Sequence, residues 1–130
     1  MAKNTDREIA QQIDKAFADL IDSLKDLARS GSSDLHYVLR SAAAVEQMCG
    51  GLTANLWDDP FEWTLPETLS NDDRVVEYLS EVDLARERAF NSIDDAALTK
   101  YISVPSGEER PLISVLLETL IKASDLRARA

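Results

Sequence analysis

Few residues in this chain could do acid–base, nucleophilic or metal chemistry. Its 130 residues include one histidine, His36, and one cysteine, Cys49. Helical bundles build metal and cofactor sites from several inward-facing His and Glu side chains on facing helices, so one histidine cannot supply a multi-histidine centre within a subunit. A thiol–imidazole nucleophile pair needs hydrogen-bond reach. His36 and Cys49 are 13 residues apart on one expected helix, which separates them by ~20 Å. There is no Glu-x-x-His pair, no His-Glu-x-x-His run, no CxxC and no glycine-rich phosphate loop leading to a lysine. Cys49 reads as a small core residue rather than a nucleophile. His36 falls at a helix start, where the dipole disfavours its charged form, and reads as a surface or pocket-rim residue rather than a catalytic base. Glu46 follows Ala42 by one turn, at the edge of an apolar stripe. It is either a solvated flank residue, the preferred reading, or a carboxylate facing a central cleft.

The elements that must position these residues are helical. Thr5 and Glu8 have the spacing of a capping box, and Ile9, Ile13, Phe17, Leu20, Leu24 and Leu27 follow at steps of three and four, predicting a helix to about Arg29. A short break over Ser30–Asp34 offers Ser33 or Asp34 as the next N-cap and favours a second helix antiparallel to the first. That helix carries Leu35, Val38, Leu39, Ala42, Val45, Cys49, Leu52 and Leu56 on its apolar side, with Ala42–Ala44 small enough for close approach. Gly50 and Gly51 inside it mark a kink, a close contact or an earlier helix end, since each costs about 1 kcal/mol relative to Ala.

Asp58 to Leu69, with Pro60 and Pro66, breaks the pattern. An extended linker of this kind can run the length of a bundle and set the third helix parallel to the second. The segment from Trp57 to Trp63 holds both tryptophans; it either covers one end of the core or forms a lid over an apolar ligand. The third helix is expected from Ser70 or Asn71, with Val75, Leu79, Val82, Arg86, Phe90 and Ile93 at helical spacing. A short extra helix over Asp94–Ile102 and a loop over Ser103–Arg110 lead to Pro111, expected at the first position of the last helix. There Leu112, Val115, Leu116, Thr119, Leu120 and Ala123 point inward. Ile113, Leu117 and Ile121 add a second row, which suggests a central position or a subunit contact.

Composition bounds the function. The length fits one domain, residues 1–130. A single cysteine excludes an intramolecular disulfide and points to no oxidising compartment. Fourteen basic against 24 acidic residues give a net charge of −10, which disfavours nucleic acid and anionic membrane as partners. No segment reaches the ~20 apolar residues of a membrane span. The residues from Met1 to Asp6 are polar, without a signal-peptide core, so the expected location is the cytoplasm.

The layout resembles the DinB/YfiT-like superfamily of bacterial four-helix bundles. Val38-Leu39-Arg40-Ser41-Ala42-Ala43-Ala44-Val45-Glu46 is similar to the family's Leu-Leu-x-His-Leu-x-x-x-Glu segment. The stretch from Leu116-Leu117 to Leu126-Arg127-Ala128 is similar to its His-x-x-x-His-Arg-Gly ending. The resemblance implies an up-down-down-up fold and places Ser41, Lys122 and Leu126 at the family's three metal-binding histidines, with Arg127 retained. Ser, Lys and Leu are poor ligands for such a cation, so the resemblance implies a member without the metal site, and dimerisation survives because it depends on helix faces.

The sequence therefore predicts an all-α four-helix bundle, up-down-down-up, with a long crossover between helices two and three. Its expected role is a non-catalytic binding or interaction module, self-associating as a homodimer, with no cofactor and no metal. The competing reading is a small-molecule binder or metal-independent enzyme using a remnant polar cleft of His36, Ser41, Glu46 and Lys122, with a small apolar ligand. Carboxylate-only metal binding is a third.

Overall fold

The computed structural model describes residues 6–31, 34–57 and 72–130. Among these, four helices run over Glu8–Ser30 (α1), Leu35–Ala54 (α2), Asp72–Phe90 (α3) and Leu112–Ala128 (α4). Between α3 and α4 lie a 3-10 turn, Ala97–Thr99, and two strands, Tyr101–Ser103 (β1) and Glu109–Pro111 (β2). The described residues are mostly helical, in keeping with the expected all-α class, with one small sheet beside the helices. The stretch expected to be a loop is closed by an antiparallel hairpin pairing Tyr101 with Pro111, Ile102 with Arg110 and Ser103 with Glu109. Its tip turns at Gly107, whose φ of 90° suits a residue without a Cβ. Pro111 ends β2 and caps α4 from outside, with an extended ψ of 141°, one position before the expected one.

One apolar core joins the helices. Ala10, Ile13, Phe17, Leu20, Ile21, Leu24 and Ala28 form the buried face of α1; Ile9, expected on that stripe, is exposed. The Phe17 and Phe90 rings meet at 5.8 Å between centroids, joining α1 to α3. Helix α3 packs against both α1 and α2, and α2 against both α3 and α4. The short connection thus does not make α2 the main neighbour of α1. The reason is visible in α2 itself: residues 41 to 45 are all buried, small or β-branched, and are wrapped from several sides. The central position is α2's. On α4, Leu117 and Ile121 remain exposed.

The helix ends are tied across the fold. Asp34 accepts the His36 N–H at 3.0 Å and caps α2, and its own N–H donates to the Ala130 carbonyl at 3.1 Å. Thr5, half of the expected capping box, lies outside the described residues. The free amides of Ile9 and Ala10 instead donate to the Asp95 carboxylate, at 3.0 and 2.8 Å. In return Arg7 donates to the carbonyls of Phe90 and Asn91, so the start of α1 and the end of α3 cap each other. The amides of Ile9 and Ala10 and the carbonyls of Phe90 and Asn91 thereby each gain a partner more than 80 positions away.

Candidate functional site

Among the described contacts, none joins two of the four cleft candidates. His36 is exposed at the first turn of α2, its ring edge-on to Tyr37 with centroids 5.2 Å apart. Ser41 is fully buried and donates its hydroxyl hydrogen to the Ala123 carbonyl at 2.7 Å, where α2 packs on α4. Lys122, next to Ala123 in sequence, is exposed on the outer side of α4. Glu46 is half-buried and accepts from the Tyr78 hydroxyl at 2.5 Å. The remnant cleft drawn from these four residues is therefore not assembled, because the small residues around Ser41 let α2 and α4 close on each other.

The positions that the family resemblance assigns to a metal do not fit one. The Ser41 oxygen is engaged with a backbone carbonyl, the Lys122 cation points to solvent, and Leu126 offers no lone pair. Among the described residues no three His, Cys, Asp or Glu side chains gather as a metal ion would require.

The polar cluster that the fold does build lies between α1, α3 and α2. Arg86 is buried on α3 and bonds Asp83 through Nε at 2.8 Å and Asp14 of α1 through Nη1. Burial opposes the guanidinium charge, but hydrogen bonds and charge from Asp83 and Asp14 outweigh it and raise its pKa. Glu46 and Cys49 of α2 face the same region. Sequence spacing placed Arg86 on an apolar stripe, the signal that it needs buried partners. Asp14, Asp83 and Tyr78 carried no such mark, and Asp14 reads as ordinary surface filler.

Cys49 is buried and unreactive. Burial, opposed by Arg86 and reinforced by Glu46 and Asp14, pushes its thiol from 9.0 up to about 12. The folded state thus holds a proton that the unfolded chain releases, so this contribution is complete below pH 9 and is lost as pH rises toward 12. Above pH 9 the expected loss is about 1.4 kcal/mol per pH unit. Urea unfolding from neutral to alkaline pH should show that slope, and Cys49→Ala should flatten it relative to wild type. Parallel slopes in the two proteins would remove Cys49 from the account.

Two concavities lie elsewhere. An open groove of about 510 Å³ runs between the end of α1 and the start of α3, lined by Arg29, Asp73, Val76, Glu77, Ser80 and Glu81. A recess of about 100 Å³ at the mutual cap includes Arg7, Gln11, Asp14 and Asn91. Neither holds any of the four cleft candidates. The candidate lid from Asp58 to Trp63 lies outside the described residues; Trp57, at its start, lays its indole over Gly51. No protein-family model, curated protein or solved structure matches the chain. Among the described residues no helix is long and apolar enough to cross a membrane.

Proposed function

We infer that this chain is a non-catalytic interaction module on a DinB-like scaffold that has lost the metal site and works through its outer surface. The single observation carrying this reading is the dispersal of His36, Ser41, Glu46 and Lys122, with aliphatic side chains such as Val38, Val45, Leu79 and Leu116 filling the interior between them. The end-to-end bonds of Arg7 with Phe90 and of Asp34 with Ala130 support an up-down-down-up path. The working surface is the outer row of α4, where Leu117 and Ile121 are exposed one turn apart and Ile113, half-buried against the core, precedes them by a turn. A homodimer in the cytoplasm, without a cofactor, is the form proposed.

An apolar fluorescent dye added at low micromolar protein tests this reading. The folded chain is expected to bind the dye and to lose most of the signal in a Leu117→Glu/Ile121→Glu double variant that keeps its helical circular dichroism. Dye binding that survives the double variant, or a folded wild type that binds none, would overturn it.

A further inference from the structure

The groove between the end of α1 and the start of α3 collects charges of both signs that do not meet. Arg29 lines it from α1, and Asp73, Glu77 and Glu81 line it from α3, together with Val76 and Ser80. The two helices run antiparallel: Arg7, just before α1, bonds the carbonyls of Phe90 and Asn91 at the end of α3. Nearer that end the seam is closed by charge, Asp14 of α1 pairing with Arg86 of α3. At the groove it stays open. Among the described residues none of Arg29, Asp73, Glu77 and Glu81 forms an ion pair. The space they line, about 510 Å³, is within the range of small-ligand sites.

The fold does not need this arrangement. Asp73, Glu77 and Glu81 follow one another at four-residue steps, and like charges one turn apart destabilise a helix. Elsewhere the chain sets opposite charges at that spacing, as in Lys15 with Asp19 and Asp125 with Arg129. The guanidinium on the facing wall changes what the acidic ladder can hold. A simple cation would be drawn to α3 and repelled by Arg29, whereas a molecule carrying both signs satisfies both walls.

We propose that this groove binds an α,ω-diamino acid of the lysine type. Its carboxylate takes the Arg29 guanidinium, which suits planar two-point recognition. Its α-ammonium takes Glu77, with Asp73 one turn before, and its ω-ammonium takes Glu81. The spacing fits: Glu77 and Glu81 are separated by ~6 Å along the helix axis. Four C–C bonds and one C–N bond of ~1.5 Å, extended, also span ~6 Å between the α-carbon and the ω-nitrogen. Both amines are protonated at neutral pH, so the ligand carries +1 into a groove lined by three acids and one base. The lining charges are exposed, so affinity is roughly millimolar and weakens with salt. The site is separate from the α4 surface and does not depend on it.

Titrating L-lysine into the uniformly 15N-labelled full chain at constant low ionic strength tests the proposal by amide shifts. Saturable shifts are expected at Arg29 and over residues 73–81. Cadaverine lacks the carboxylate, norleucine the ω-amine and Nα-acetyl-lysine the α-charge; each should bind at least fivefold more weakly. Arg29→Gln should remove the preference for lysine over cadaverine. Glu77→Gln should weaken lysine at least fivefold while keeping helical circular dichroism and slightly raising the urea midpoint, because it relieves like-charge repulsion. No saturable shift up to about 20 mM lysine, well above the expected millimolar constant, overturns the proposal. So does cadaverine binding as well as lysine, which would show general cation attraction to α3. Nα-acetyl-lysine binding equally well overturns the free amino acid in favour of a chain ending in lysine.

Discussion

Arg86→Met is expected to cost this protein about 2–3 kcal/mol of unfolding free energy, read as a lower urea midpoint at unchanged slope. The side chain of Arg86 is 9% exposed, and its partners Asp14 and Asp83 are 31% and 28% exposed. Removing one member of a fully buried ion pair costs about 3–5 kcal/mol because the other charge is left without compensation. Here water reaches the two carboxylates, which lowers the penalty. The methionine fills much of the same volume, so the loss is electrostatic and not a cavity. Two further variants separate the causes. Arg86→Lys keeps the charge but not the planar fork that reaches Asp14 and Asp83 at once, and should recover only part of the loss. Converting all three residues, Asp14→Asn, Asp83→Asn and Arg86→Met, removes the stranded charges and should return to within about 1 kcal/mol of wild type. If the triple variant is as unstable as Arg86→Met, stranded carboxylates are not the cause.

That cluster also shows how far the sequence could be read. A charged residue on the stripe Val75, Leu79, Val82, Arg86, Phe90 is visible from spacing alone, as are the four helical segments, because a 3.6-residue period repeats over four or more turns. Asp14 is 72 residues from Arg86, and nothing at its own position distinguishes it from the other acids of α1. Asp95 is similarly hidden: a carboxylate that caps α1 from beyond α3 leaves no local capping signature. The hairpin escaped because each strand has three residues, too few for a period of two to show. Ser41 was named only through the family resemblance and the cleft expectation, and its use, a bond to the Ala123 carbonyl, depends on how closely α2 and α4 approach. The breadth of α4's apolar surface was legible, whereas its exposure depended on which helix took the centre.

Gly51→Ala is expected to destabilise the protein by about 1–2 kcal/mol, although the same change in an unobstructed helix interior would stabilise it by about 1 kcal/mol. The obstacle is specific. A Cβ on Gly51 would stand 2.2–2.4 Å from three atoms of the Trp57 indole. The chain folds back there because α2 ends at Asn55, in the left-handed region with φ 56°, and the N–H groups of Asn55 and Leu56 donate to the Gly51 and Gly50 carbonyls at 3.0 Å. The glycine pair thus marks a close contact, and the helix runs through it unbroken to Ala54. Trp57→Ala removes the obstacle, so in that background Gly51→Ala should regain its helix-propensity benefit. The coupling between the two positions then amounts to about 2–3 kcal/mol. Gly50 behaves differently, since its Cβ would lie 2.9 Å from the Leu56 backbone carbonyl oxygen, which no side-chain truncation removes. Gly50→Ala should therefore be destabilising with or without Trp57. Chemical denaturation of the four Gly51/Trp57 combinations, with and without Gly50→Ala, reads all of these values. Additive losses at 51 and 57 would mean that the indole does not rest on Gly51, and the direction in which the chain leaves α2 would then be set by the Asn55 turn alone.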